Sequence, residues 1–133
     1  MIFSRNEIPE LSDLPDHVDW REAGVITETK NQGSCGSCWA FATTEQIESY
    51  AAINNASLTK LSAQEITTCT PNPLHCGGTG GCRGSIPQLG YNYVQLFGLA
   101  TNDDYPYWSG KLNALDSALK TCNWTIVTKV LLL

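Results

Sequence analysis

The stretch Asn31-Gln32-Gly33-Ser34-Cys35-Gly36-Ser37-Cys38-Trp39-Ala40-Phe41 constrains this chain more than any other. It reads as a tight, glycine-rich turn running straight into a helix. Gly33 and Gly36 allow positive φ or a close backbone approach. From Trp39 there is no Gly or Pro until Pro71, and Ala40, Ala42, Glu45, Gln46, Ile47, Glu48, Ala51 and Ala52 favour helix. The pattern predicts a helix from about Cys38 to Ile53, roughly 24 Å long at about 1.5 Å per residue. Asn54 and Asn55, which tolerate a left-handed cap, would end it. Cys38 then sits at the helix N-terminus, where unpaired N–H groups and the macrodipole favour an anion. That placement favours the thiolate, the nucleophilic form.

Length and composition bound the alternatives. At 133 residues the chain can build one core, and 42% hydrophobic with 16% charged residues is ordinary for a globular domain. A net charge of −5 without a basic stripe argues against nucleic-acid binding. No apolar run approaches the ~18–20 residues of a membrane helix. Met1 to Glu7 carries no apolar leader, yet six cysteines suggest an oxidising compartment. Asn55-Ala56-Ser57 and Asn123-Trp124-Thr125 fit the glycosylation sequon.

Cys35-Gly36-Ser37-Cys38-Trp39 is a local signature of papain and the cathepsins, and the chain resembles a papain-like cysteine peptidase. Further matches are Pro15 followed by Asp19-Trp20-Arg21, Leu61-Ser62-Ala63-Gln64 ahead of Cys69, Gly81-Cys82-Arg83-Gly84-Ser85, and Tyr105-Pro106-Tyr107. In the third of these Ser85 replaces the family's glycine. The resemblance implies an α+β fold: the mainly helical left-hand domain of a two-domain architecture over residues 14–122, with the β-rich right-hand domain missing. Residues 1–13 resemble a propeptide tail or a disordered extension, and 123–133 form a divergent tail. The resemblance further implies that Cys38 is the nucleophile and that Gln32 donates to the oxyanion beside the Cys38 N–H. Losing one such donor costs roughly 3–4 kcal/mol. Gly36, Gly84 and Ser85 would lie along the substrate backbone, and Ile86 and Pro87 would line a pocket for an apolar P2 side chain. It implies disulfides Cys35–Cys82 and Cys69–Cys122, each closing a loop of about fifty residues and contributing roughly 4 kcal/mol by chain entropy. Cys76 is left over and offers a rival partner register in place of Cys82. No cofactor or metal is implied. The implied partners are peptide or protein substrates and a propeptide or cystatin-like inhibitor, in a lysosomal, vacuolar or secreted setting.

Elsewhere the residues speak for themselves. Gly24 to Thr27 reads as a short β-like segment. In the long helix Trp39, Ala42, Ile47, Tyr50 and Ala51 supply most apolar bulk, while Phe41, Thr44, Glu45 and Glu48 share a face. Ser62 with Glu65 three residues on is a capping box. Thr70 to Gly81 is turn chemistry throughout. Ile86, Leu89, Gly90, Tyr93, Val94 and Phe97 keep helical spacing, with Pro87 in the first turn and Gly98 as terminator.

Other readings stay open. Cys38 could be a buried structural thiol or half of a disulfide. Cys35 and Cys38 could form a thioredoxin-like redox pair, although that needs a βαβ setting absent from the preceding residues. Cys69, His75, Cys76 and Cys82 could hold zinc, but their spacing lacks the close cysteine pair of structural sites. The chain could also be a non-catalytic decoy for inhibitor-like partners. A cysteine peptidase needs a base and a group to orient it. In this family a His and an Asn follow the nucleophile by about 130–150 residues, past Leu133. The chain is therefore expected to be inactive alone, because His17 and His75 hold positions with no such role.

Overall fold

The structure, a computed structural model, describes residues 14–111, 122 and 129–130 of the chain. Among them are helices α1 (Cys38–Ile53), α2 (Ala63–Cys69) and α3 (Pro87–Phe97), strands β1 (Leu99–Ala100) and β2 (Lys129–Val130), and a 3₁₀ turn at Ser109–Lys111. The two strands pair antiparallel, Leu99 opposite Val130. The architecture is helix-rich with very little strand. Residues 1–13 and 112–121 lie outside the described residues, as do the sequon at Asn123 and Trp124.

Helix α1 is the centre, in contact with both α2 and α3. It starts at Cys38 and ends at Asn54, and Asn55 takes the left-handed φ of 67° that an asparagine tolerates. Its buried set is Trp39, Ala40, Phe41, Thr43, Thr44 and Glu48. Two expected apolar contributors are outside: Ala42 is exposed and Tyr50 is 69% exposed. Glu48, 1% exposed, is inside instead. A buried carboxylate survives only with its charge and lone pairs matched. Here Lys30 Nζ lies 2.6 Å from Glu48 Oε2, Thr27 Oγ1 donates to the same oxygen at 2.7 Å, and the Leu61 N–H donates to Oε1 at 2.7 Å.

That network also holds the segment that precedes α1. Residues 24–27, read as β-like, form no strand. Gly24 closes a turn at φ 68°, and the segment beyond it is fixed by side chains reaching Glu48 rather than by a backbone ladder.

The core joins Trp39, Ala40, Leu61, Ile66, Tyr93, Val94 and Leu99. Helix α3 approaches α1 closely because Gly90 faces Thr43: a Cβ on Gly90 would lie 2.5 Å from Thr43 Oγ1. Pro87 occupies the first turn of α3, and Gly98, at φ 71°, ends it. Phe97, expected on the apolar face, is 42% exposed, with its ring 5.2 Å from that of Tyr93.

The capping box of α2 is half formed. Ser62 Oγ accepts from the Glu65 N–H at 2.9 Å. The return bond is absent, because the Ser62 N–H donates to the Ala100 carbonyl. Glu65 turns inward, accepting from Tyr93 Oη at 2.7 Å and the Ala100 N–H at 2.8 Å. Long-range partners outcompete the local cap. Burial raises the Tyr93 pKa well above its ordinary value, and the bond to Glu65 raises it further.

The Glu48 carboxylate and the Tyr93 phenol each make stability depend on a named partner. Lys30→Met leaves Glu48 without its counter-charge and lowers the unfolding free energy by about 3 kcal/mol in urea titrations; a loss under about 1 kcal/mol would contradict the account. A raised tyrosine pKa stabilises the fold below its unfolded value, and that stability is lost as pH climbs towards the folded value. Stability should therefore fall as pH rises past about 10, and Tyr93→Phe should flatten part of that fall.

Candidate active site

The candidate nucleophile is held from three sides. Cys38 is the first residue of α1 and its free thiol is exposed. Its N–H belongs to the orphan donors of a helix start, and no acceptor takes it among the described residues. Just upstream, the Cys35 carbonyl accepts from the Ser37 N–H at 2.8 Å and from Gln32 Nε2 at 2.8 Å. Gln32 is thereby aimed at the base of the turn, with one amide hydrogen still to give. Gln32 and Cys38 line one concavity of about 390 Å³, together with Thr27, Lys30, Phe41 and Glu45. Neither histidine lines it; His17 and His75 are both exposed.

Tyr107 is the residue whose role the sequence left unread. Its hydroxyl lies 2.6 Å from Ser37 Oγ and donates to the Gln32 carbonyl at 2.9 Å. Its ring meets Phe41 edge-on at 4.7 Å. One phenol thus ties the segment carrying Gln32 to the start of α1, which explains why Ser37 makes no side-chain cap. Burial raises the Tyr107 pKa, partly offset by the bond to Ser37, so it stays a donor at neutral pH. The Tyr-Pro-Tyr motif flagged this residue, but nothing in its spacing revealed the partners.

Cys35 is bonded to Cys82 and Cys69 to Cys122, while Cys38 and Cys76 are free. The Cys35 sulfur is therefore not available for redox cycling with Cys38, and the rival register through Cys76 is not used. Of the zinc candidates, Cys69 and Cys82 are disulfide-bonded, and no cluster of three or more potential ligands occurs among the described residues.

The first disulfide lays the turn against the 82–85 segment. The Gly36 N–H donates to the Cys82 carbonyl at 3.0 Å, and a Cβ on Gly36 would lie 2.6 Å from that oxygen. Trp39 Nε1 donates to the Gly81 carbonyl at 3.2 Å, fixing the same loop to α1. Gly84 and Ser85, expected together along a substrate backbone, differ. The Gly84 carbonyl already accepts from the Gly80 N–H at 2.8 Å, whereas the Ser85 N–H and carbonyl take no hydrogen bond among the described residues. Ile86 and Pro87 are half-buried and do not line the Cys38 concavity. Pro87 gives its carbonyl to Thr43 Oγ1 at 3.3 Å, so helix packing claims part of it.

Comparison with known proteins fits this geometry. The papain family cysteine protease profile matches residues 14–130. The chain is 43% identical over 94 residues to a cathepsin L-like proteinase of Fasciola hepatica, covering 71% of this chain and 28% of that protein. It is 37% identical over 100 residues to procathepsin L of Mus musculus, covering 74% of this chain and 29% of that one. Among solved structures, a recombinant stem bromelain precursor superposes with a TM-score of 0.75 at 29% identity, over 97% of this chain and 37% of its own. The proform of the ragweed pollen cysteine protease Amb a 11 superposes with a TM-score of 0.68 at 35% identity, over 89% and 34%. The chain thus spans about a third of the length of these relatives. On the match across residues 14–130, it belongs to the papain family of cysteine proteases.

Proposed function

We propose that this chain is the helical, nucleophile-bearing half of a cysteine endopeptidase. The observation that carries the reading is the exposed Cys38 thiol at the start of α1, sharing one concavity with Gln32. In this reading Cys38 Sγ attacks a peptide carbonyl and its oxygen becomes an oxyanion. The Cys38 N–H and the spare amide hydrogen of Gln32 receive that charge. Collapse expels the amine and leaves a thioester on Cys38, which water then hydrolyses. The imidazole that takes and returns the proton, and the group that orients it, come from sequence outside these residues. The 133-residue chain alone therefore hydrolyses no peptide.

Ser85 offers the backbone groups that would pair with an extended substrate, and Ile86 and Pro87 an apolar contact for P2. Partners of the intact protein are peptide or protein substrates and a propeptide or cystatin-like inhibitor. Two disulfides support an oxidising compartment, lysosomal, vacuolar or secreted.

Two measurements test this reading. A peptidyl epoxide of the class that alkylates such thiols, followed by mass-spectrometric mapping, should label Cys38 and spare Cys76; labelling of Cys76 alone, or of neither, would contradict it. In a chain extended to the length of its relatives, Gln32→Ala should lower kcat by about 100- to 1,000-fold, whereas a change under about tenfold would remove Gln32 from the oxyanion site.

A further inference from the structure

The loop between α2 and α3 is organised around one side chain. Asn72 Nδ2 reaches three acceptors: the Cys76 carbonyl at 3.0 Å, the Gly78 carbonyl at 3.0 Å and Ser85 Oγ at 3.2 Å. Its Oδ1 accepts from the Cys76 N–H at 2.8 Å. The amide's two hydrogens and its oxygen are thus all engaged, and Asn72 is half-buried. The glycines it holds press backbone on backbone. A Cβ on Gly78 would lie 2.2 Å from the Arg83 carbonyl oxygen, and one on Gly77 would lie 2.8 Å from that of Ser85. The loop therefore packs directly against residues 83–85, whose Ser85 N–H and carbonyl take no hydrogen bond among the described residues.

We propose that Asn72 is a positioning residue for this backbone edge at Ser85, resting on the reading that Cys38 faces a peptide. Its bond to Ser85 Oγ turns the hydroxyl back into the loop. The Ser85 N–H and carbonyl are then left to an extended peptide, although the residue carries a side chain where the family has glycine. Without Asn72, Ser85 Oγ is free to bond neighbouring backbone groups, as serine hydroxyls do. It then competes for the edge the peptide needs.

The test compares alkylation rates at Cys38 of the full chain by two reagents. One is a peptidyl vinyl sulfone with an apolar P2 residue; the other is iodoacetamide, which touches no edge. The wild-type chain should favour the peptidyl reagent. Asn72→Ala should slow that reagent about tenfold, the scale of one lost hydrogen bond, while leaving the iodoacetamide rate within about twofold. Asn72→Asp, which keeps the acceptor for the Cys76 N–H but loses both donors, should behave alike. Adding Ser85→Gly to Asn72→Ala should restore the peptidyl rate, because the hydroxyl being restrained is then gone. A peptidyl preference unchanged in Asn72→Ala overturns the role of Asn72 and leaves the peptidase reading standing. Failure of Ser85→Gly to restore the rate also overturns it, since Asn72 would then act only through loop folding. No peptidyl preference in the wild type overturns the peptidase reading and this one with it.

Discussion

The carbonyl of Cys35 organises the site more than any other single group. It accepts the Ser37 N–H and Gln32 Nε2 together, each at 2.8 Å, using both lone pairs. That double acceptance closes the turn and fixes where Gln32 points. It also leaves the next amide, that of Cys38, as an open donor at the head of α1. Helix starts always leave such donors unsatisfied. In this chain the turn places a thiol and a side-chain amide around them, the arrangement from which the proposed oxyanion role is argued.

Such a turn would be floppy without support, and the support is layered. Tyr107 ties the Gln32 carbonyl to Ser37 from one side. The Cys35–Cys82 disulfide and the Gly36–Cys82 hydrogen bond hold the other. Beneath them, Lys30 and Thr27 anchor the upstream segment to Glu48 within α1. Tyr107 is itself held through Gln64, whose Oε1 accepts from the Trp108 and Ser109 N–H groups at 3.0 and 2.9 Å. Gln64 belongs to α2, so the tyrosine is referenced to the core rather than to a free loop. Precise sites need supporting groups locked in this way.

Much of this was legible in the sequence, and the reasons are local. Helix α1 announced itself through an uninterrupted run of helix formers, and α3 through Pro87 and Gly98 at its ends. What escaped depends on contacts across tens of residues. Glu48 shared a face with Phe41, Thr44 and Glu45 in the sequence, but its partners Thr27, Lys30 and Leu61, which let it be buried, lie 13 to 21 positions away. Glu65 read as a capping residue, but Tyr93 and Ala100 claim its carboxylate. Residues 24–27 form no strand, and among the described residues no ladder receives them. At the candidate site, Cys38 and Gln32 were singled out by the family resemblance, whereas the contacts of Tyr107 and Asn72 were not. Their parts rest on where a hydroxyl and an amide end up in space, and no periodicity encodes that.

The central claim is that an oxygen bonded to the carbon attacked by Cys38 falls between the Cys38 N–H and Gln32 Nε2. The most direct measurement is a crystal structure of the chain with a peptide aldehyde added, the hemithioacetal oxygen standing in for the oxyanion. The account predicts that oxygen at about 2.7–3.1 Å from both nitrogens. An adduct on Cys38 whose oxygen points to solvent, away from Gln32, would contradict it.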